Sequence, residues 1–331
     1  MTRPWPLAST IMVHARGRPF RIGVAWLITS ILIGGAAIAQ APPNPILPEE
    51  KPAADQQPIT PIPEPPPADP LKLALGERLF SDSRLSADGK LACSSCHDIH
   101  TNGAGPSENS ATRPFNTLTV FNAALNFRLN WEGNFRSLSA QAESSLENPV
   151  NMGTSVNEVV DKLNADPETV KQFRAAYGTA PNRDNFLDAL VTFEKSLLTP
   201  GARFDRWLNG DASALSPAEL EGYRQFKSLG CSSCHQGVNV GGNLFERQGI
   251  FHPLVHSQPE IVRVPSLRNV AATAPYFHDG SALTLEDAVR RMAAAQLDRT
   301  LTNQQLSSLV AFLQTLTGNY RGTPVVGATQ P

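Results

Sequence analysis

One pentapeptide, Cys-Ser-Ser-Cys-His, occurs twice in this chain, at 93–97 and at 231–235, and the two copies contain all four cysteines. Two Cys-x-x-Cys pairs can bind one structural zinc ion, and each pair alone can carry out disulfide exchange. Covalent haem attachment also needs the histidine, because the two thiols bond the haem vinyl groups and the adjacent histidine ligates the iron. Only haem attachment explains both histidines, so the sequence predicts two covalently bound c-type haems. The predicted attachment residues are Cys93, Cys96 and His97 for the first haem and Cys231, Cys234 and His235 for the second.

The first 39 residues predict export. Three arginines precede an apolar run over residues 22–38, and Ala37-Ile38-Ala39 supplies small residues at a cleavage position. That order is typical of a secretory signal peptide. An uncleaved membrane anchor is the alternative, because the run is just long enough to span a bilayer. Bacteria attach c-type haem outside the cytoplasm, so we predict a signal peptide over 1–39 and location in the periplasm.

Composition divides the rest of the chain. Residues 40–70 are rich in proline, which predicts an extended linker that cannot bury a core. The remaining length suits two modest domains, placed at 71–205 and 206–320, with a tail over 321–331. The signal peptide removes four basic residues from a chain with 28 Lys+Arg and 30 Asp+Glu, and no basic run remains. This composition argues against nucleic acid as a partner.

Helix signals dominate both predicted domains. N-cap residues open apolar periodic stretches at Asp166, Ser216, Thr284 and Thr302. Long polar stretches cover 101–112 and 236–259. Loops of that length in a compact domain usually surround a bound group. In each half, an amphipathic helix leads to the same pentapeptide. The sequence therefore predicts an all-α fold of two cytochrome c-like domains, each wrapping one haem.

A long motif near the C-terminus carries a family resemblance. Residues 264–296, VPSLRNVAATAPYFHDGSALTLEDAVRRMAAAQ, resemble the C-terminal signature of the bacterial di-haem cytochrome c peroxidases. Both pentapeptides also match, as do NTLTVFNAALNFRLNWEGNF, LSAQAESSLENPVNMG and GCSSCHQGVNVGGNLF, so the resemblance runs from about residue 71 to residue 317. The wider family includes the di-haem enzyme that matures methylamine dehydrogenase. The resemblance implies reduction of hydrogen peroxide with electrons from a small periplasmic donor, a c-type cytochrome or a cupredoxin.

The resemblance implies an electron-transfer role for the C-terminal domain. Met292 matches the methionine that ligates the C-terminal haem opposite His235, and a His/Met pair raises the reduction potential of a haem. From the residues alone, a helical methionine is more often a core side chain. Trp131 matches the tryptophan that bridges the two haems. The tyrosine-ligated variant of the family is not matched, which favours a peroxidase.

A calcium ion between the domains is also implied by the resemblance. The family binds it with an asparagine side chain and backbone carbonyls, and Asn116, Thr273 and Pro275 match those positions. Oxygen ligands of this kind suit calcium. A turn residue beside Pro114 is the alternative reading of Asn116.

The N-terminal haem is the implied site of peroxide reduction, where a base must move a proton between the two peroxide oxygens. Gln141 matches the distal glutamine of the family, but the position of the distal glutamate is occupied by Asn151. Asparagine cannot shuttle a proton at ordinary pH. Glu147 and Glu108 are the candidate substitutes.

The loop after the first pentapeptide is shorter than in many relatives and has no histidine at the position of the distal iron ligand. His100 is so close to His97 in sequence that we expect it at the surface. The N-terminal iron is therefore expected to be open when oxidised, and peroxide turnover is expected to be slow.

Three functions agree with these observations. The first is a cytochrome c peroxidase, the second is a di-haem oxidase that modifies a partner protein, and the third is a non-catalytic electron-transfer protein. Met292 favours the first over the second, whereas Asn151 favours the third. We adopt the peroxidase as the prediction, with a homodimer as a possible assembly.

Overall fold

The computed structural model describes residues 57–105, 115–255 and 258–327, all of which belong to one compact unit. The predicted signal peptide, most of the proline-rich segment and Glu108 lie outside the described residues. Within these ranges, no helix combines the length and the apolar character needed to cross a membrane.

Helices dominate the described residues. The nine α-helices found there are α1 Pro70–Phe80, α2 Leu138–Glu147, α3 Val156–Asn164, α4 Pro167–Tyr177, α5 Arg183–Ser196, α6 Arg203–Leu208, α7 Pro217–Ser228, α8 Leu285–Leu297 and α9 Asn303–Gln314. The strands form two short antiparallel pairs, β1 Phe245–Arg247 with β2 Ile261–Arg263, and β3 Asn319–Tyr320 with β4 Thr323–Pro324. The all-α prediction is confirmed, with these two small ladders added.

Side-chain caps form at the predicted helix starts. The Ser216 hydroxyl accepts a hydrogen bond from the Glu219 N–H, and the Glu219 carboxylate accepts one from the Ser216 N–H. Thr302 and Gln305 form the same reciprocal pair at α9. Each pair satisfies N–H groups that the first helical turn leaves without an intrahelical partner, and a capping side chain contributes about 1 kcal/mol.

The same helix pair occurs in both halves of the fold. In the first half α1 packs against α5, and in the second α7 packs against α9. A Cβ atom on Gly76 would collide with the carbonyl oxygen of Ala189, and one on Gly222 would collide with that of Ser308. Both crossings therefore need glycine so that the backbones can approach. The weak internal repeat in the sequence thus corresponds to a repeated packing unit.

Aromatic pairs lie beside both glycine crossings. The ring centroids of Phe80 and Phe193 are 5.3 Å apart, and those of Phe226 and Phe312 are 5.1 Å apart. Each ring pair joins the helix that precedes a pentapeptide to the later helix of its half. These contacts place the two pentapeptides against rigid helix pairs.

Each half has its own hydrophobic core, and a third cluster connects the two. The cluster contains Phe80, Phe121 and Phe193 from the first half and Ala272 and Val325 from the second. Part of the contact between the halves is therefore apolar, and this part is continuous with the packing around α1 and α5.

The part of the proline-rich segment that the structure describes, from residue 57 onward, packs in the core of the second half. Ile59 is fully buried there, the Gly237 N–H donates to the Pro58 carbonyl over 2.7 Å, and Arg268 Nη2 donates to the Thr60 carbonyl over 2.7 Å. Composition predicted an extended linker that buries no core. These residues nevertheless pack, because donors of the second half satisfy their carbonyl groups.

Candidate functional site

One cavity of about 800 Å³ contains both pentapeptides. Its walls come from both halves of the fold. The attachment residues that line it are Cys93, Cys96, His97, Cys231, Cys234 and His235. The structure therefore brings the two predicted haem-attachment sites into one continuous space.

Each pentapeptide forms a 3₁₀ turn, at Cys93–Ser95 and at Cys231–Ser233. The His97 N–H donates to the Cys93 carbonyl over 2.9 Å, and the His235 N–H donates to the Cys231 carbonyl over 3.0 Å. This bond folds each histidine back over the first cysteine of its motif. The local backbone thus directs two thiols and one imidazole into the same part of the cavity.

Backbone carbonyls orient both imidazoles. His97 Nδ1 lies 3.1 Å from the Gly103 oxygen, and His235 Nδ1 lies 3.3 Å from the Val240 oxygen. A carbonyl can only accept, so in the neutral tautomer each Nδ1 carries the proton and Nε2 keeps its lone pair for a metal. Burial lowers the pKa of His235 to about 4, which keeps that ring neutral.

The state of the thiols bears on the kind of site that the two motifs form. Burial raises the pKa of Cys93 to about 12 and that of Cys231 to about 11, so both remain protonated at neutral pH. Reactive dithiols instead have lowered thiol pKa values. None of the four cysteines is in a disulfide, and no three His, Cys, Asp or Glu side chains in the described ranges converge as a metal site. Neutral thiols facing an apolar cavity fit haem attachment and do not favour disulfide exchange.

Met292 lies on the α8 face that lines the cavity. Leu285, Ala288 and Val289 line it from the same helix, at the spacing of one helical face. The side chain of Met292 is half-buried, and His235 lines the same cavity. Its position suits the role of second iron ligand that the sequence predicts for it.

The predicted bridge and calcium residues contact one another. Trp131 Nε1 donates to the Asn116 carbonyl over 2.8 Å, and Asn116 Nδ2 lies 2.6 Å from the Pro275 carbonyl oxygen. Thr273 lines the cavity beside Pro275. Rotation of the Asn116 amide by half a turn would bring its oxygen toward the Pro275 oxygen, and such oxygen pairs suit calcium. The residues therefore fit the predicted ion.

The predicted distal residues differ in position. Gln141 of α2 and Asn151 both line the cavity. Glu147 is exposed and is not part of the cavity wall, which removes it as a substitute for the missing glutamate. His100 is exposed, as predicted.

Among the cavity residues that were not identified from the sequence are a buried acid and a buried arginine. Glu194 of α5 is half-buried, and its Oε2 is inaccessible to solvent and has no hydrogen-bond partner in the structure. Burial raises the pKa of Glu194 to about 8. Arg263 is a buried arginine whose Nη1 is also without a partner. Only the burial of Glu194 could have been suspected from the sequence, because Glu194 lies four residues after Leu190 and so shares its apolar helix face.

A helical fold with two such turns facing one cavity defines a di-haem c-type cytochrome. The family model for di-haem cytochrome c peroxidase matches residues 70–213, and the model for cytochrome c matches residues 220–317. The chain belongs to the di-haem cytochrome c peroxidase family and is an oxidoreductase of that type.

Relatives include both branches of the family. The chain is 38% identical to cytochrome c551 peroxidase of Nitrosomonas europaea, over 80% of this chain and 86% of that protein. It is 31% identical to the methylamine utilization protein MauG of Methylorubrum extorquens, over 77% of this chain and 81% of that one. A crystal structure of a MauG-like protein associated with microbial copper homeostasis is similar, with a TM-score of 0.66 and 27% identity over 78% of this chain and 93% of that one.

Proposed function

We propose that this chain reduces hydrogen peroxide to water with electrons from a small periplasmic donor, a c-type cytochrome or a cupredoxin. The observation that carries the proposal is the single cavity, which both pentapeptides, Met292, Trp131 and Gln141 line. Two haems attached there supply the redox chemistry, with electron transfer from the C-terminal to the N-terminal haem. The signal peptide and the periplasmic location belong to the same proposal.

The chain's own residues have distinct roles in this proposal. His97 and His235 present Nε2 to the irons, because their Nδ1 atoms are held by backbone carbonyls. Met292 supplies the second ligand on the C-terminal side, which raises the potential of that haem. The Trp131 indole is fixed by its bond to the Asn116 carbonyl and lies on the cavity wall as the bridge. Asn116, Thr273 and Pro275 would hold a calcium ion at this junction.

Proton transfer is the weak step in the proposed reaction. The Gln141 amide can orient peroxide by hydrogen bonding, but Asn151 cannot accept a proton at ordinary pH. Glu147 lies outside the cavity wall. We therefore propose slow turnover at the N-terminal site, since loss of a positioned acid-base group costs about a hundredfold or more in rate.

A non-catalytic electron-transfer protein is the second candidate, and Asn151 is the observation that favours it. The distinguishing measurement is steady-state peroxide consumption by the half-reduced holoprotein with a reduced cytochrome or cupredoxin. A peroxidase consumes peroxide in proportion to protein, and Asn151→Glu should accelerate it about tenfold or more by restoring a base. Glu147→Gln is the matched control and should leave the rate unchanged. No consumption by either the wild type or Asn151→Glu, with both haems attached, would contradict the peroxidase.

A further inference from the structure

Arg263, at the end of β2, is a buried cation without an anion. The residue is 3% exposed, its Nη1 has no hydrogen-bond partner, and its Nε donates to the Asn130 carbonyl over 3.1 Å. No carboxylate of the described ranges forms an ion pair with it. Burial lowers the pKa of Arg263 to about 10, so the guanidinium is still charged at neutral pH. A buried charge without a partner is destabilising, which predicts that a missing anion belongs beside it.

Arg268 shows how this fold treats an arginine that keeps its charge inside the protein. Arg268 is 2% exposed, and its Nη1 donates to the Asp205 carboxylate over 2.7 Å. Its Nη2 and Nε donate to the carbonyls of Thr60 and Val238 over 2.7 and 2.8 Å. Every nitrogen is thus satisfied by the chain. Both arginines line the cavity, but only Arg263 has a guanidinium nitrogen that the chain leaves without a hydrogen-bond partner.

The surroundings of Arg263 place it between the second attachment loop and the bridging tryptophan. Its N–H donates to the Trp131 carbonyl over 2.7 Å. Gly242, whose N–H donates to the Val264 carbonyl over 2.8 Å, lies against the guanidinium: a Cβ there would be 3.6 Å from Arg263 Nη1. Gly242 follows the Val240 carbonyl that orients His235. Arg263 therefore belongs to the wall of the C-terminal attachment site.

We propose that Arg263 binds a propionate carboxylate of the C-terminal haem and is a positioning residue for that haem. A carboxylate is the anion that a haem brings into the cavity, and guanidinium and carboxylate form short, charge-assisted bonds. The pairing supplies the missing anion. It also joins the haem edge to β2, which bonds to the Trp131 carbonyl through the Arg263 N–H. The proposal rests on haem attachment at Cys231 and Cys234 and does not depend on the substrate.

Pairing also affects the reduction potential. A propionate that loses its cation leaves an uncompensated negative charge beside the iron, which favours the ferric state. Arg263→Gln should therefore lower the equilibrium constant for reduction of the C-terminal haem about tenfold. For one electron, this factor corresponds to a reduction potential that is lower by about 59 mV. Arg263→Lys keeps the charge but not the fork, so its shift should be smaller.

The test is a spectroelectrochemical titration of both haems in the holoprotein. Arg290→Gln is the matched control, because it removes the same charge from an exposed site on α8. A pyridine haemochrome assay should give two haems per chain in every variant, and only Arg263→Gln should shift the C-terminal haem by the full amount. An unshifted potential in Arg263→Gln, a shift confined to the N-terminal haem, or an equal shift in Arg290→Gln would overturn the proposal. If Arg263→Gln does not fold, Arg263→Leu takes its place, because it also removes the charge and leaves an apolar side chain at this buried position, and an unshifted potential in that variant would overturn the proposal.

Peroxide consumption separates this proposal from the proposed function. Wild-type protein that consumes no peroxide, but in which Arg263→Gln shifts the C-terminal haem, supports the propionate contact and contradicts the peroxidase. Wild-type protein that consumes peroxide, with no potential shift in either Arg263 variant, supports the peroxidase and contradicts the propionate contact.

Discussion

Glu194 lies on the cavity wall near Cys93, where burial penalises the ionised form of its carboxyl group. Its pKa is raised to about 8 for that reason, and the same group raises the pKa of Cys93. At neutral pH the folded protein therefore keeps Glu194 protonated. An acid in this state can donate a hydrogen bond inside the cavity, which an ionised carboxylate cannot.

The raised pKa of Glu194 predicts a particular dependence of stability on pH. The unfolded chain ionises this group near 4.5, whereas the folded protein does so near 8. Between these values the unfolded state has released the proton and the folded state has not, so rising pH favours unfolding. The stabilisation is complete below the lower value and lost once the pH passes the upper one. The free energy of unfolding of Glu194→Gln should therefore fall less than that of the wild type between these two pH values. The difference should be up to about a few kcal/mol.

Denaturant unfolding of the holoprotein at several pH values measures this difference. Glu147→Gln is the control, because Glu147 is exposed and outside the cavity wall. Parallel pH profiles for the wild type and Glu194→Gln would show that the carboxyl is not buried in the haem-loaded protein.

Two methionines remain after the predicted signal peptide, and both line the cavity. Met152 is packed in the core of the first half, whereas Met292 lies on the α8 face of the second. Met292→His should lower the potential of the C-terminal haem and abolish a sulfur-to-iron charge-transfer band in the near-infrared, because imidazole replaces the thioether. Met152→Leu should leave both unchanged. Absence of the band from the oxidised wild type, or its loss in Met152→Leu, would rule out Met292 as the ligand.

At the scale of elements, the repeated helix pair explains why the two pentapeptides adopt the same turn. Helices α1 and α7 each cross a later helix of their half at a glycine, with an aromatic pair alongside. The sequence predicted the helices that lead to the two pentapeptides and the helix that Thr302 opens, since capping residues and apolar spacing are local signals. It did not predict the crossings, because nothing local distinguishes Gly76 or Gly222 from a helix-weakening glycine.

The crossing predicts an unusual sign for a glycine substitution. On an exposed helix, Gly→Ala stabilises by about 1 kcal/mol, because alanine has the higher helix propensity. Gly222→Ala should instead destabilise the holoprotein by about 1–3 kcal/mol, since the new methyl group meets the Ser308 carbonyl. Thermal unfolding with a haem count measures the change.

A matched control exists at Gly178, which ends α4 with φ +73 and has open space where a Cβ would lie. Gly178→Ala reports backbone strain alone and should cost about 1 kcal/mol. A Gly222→Ala protein as stable as the wild type would mean that α7 and α9 are not in close contact.

At the scale of the molecule, contacts between distant parts of the chain account for what the sequence left unpredicted. Residues near Thr60 complete the polar shell of the buried Arg268–Asp205 pair, so a segment with linker composition is part of the second half. The burial of Arg263 beside the attachment site could not be predicted, because it depends on a cavity that both halves build. The predicted cavity residues were accessible from the sequence because each lies in a distinctive motif. Buried charges outside such motifs have no comparable signal.

The junction between the halves yields the last prediction. Asn116 comes from the first half and Pro275 from the second, and their 2.6 Å contact is continuous with the bond that fixes Trp131. If calcium binds there, its removal should lower the melting temperature and slow electron transfer between the haems, because an ion at 100 times its dissociation constant contributes about 2.7 kcal/mol. Asn116→Ala should behave like the chelated wild type and be insensitive to chelation.

Melting scans and transient reduction kinetics after exhaustive chelation test this junction, with calcium or magnesium then added back. Calcium should restore the wild type, whereas magnesium should not, since its smaller ion demands closer, octahedral oxygens than a flexible set of carbonyls provides. Asn126→Ala is the matched control, because Asn126 also lines the cavity but accepts its hydrogen bond from Asn239. That variant should retain the full response to calcium. A wild type whose melting and kinetics are indifferent to chelation would mean that the Asn116–Pro275 contact holds the halves together without an ion.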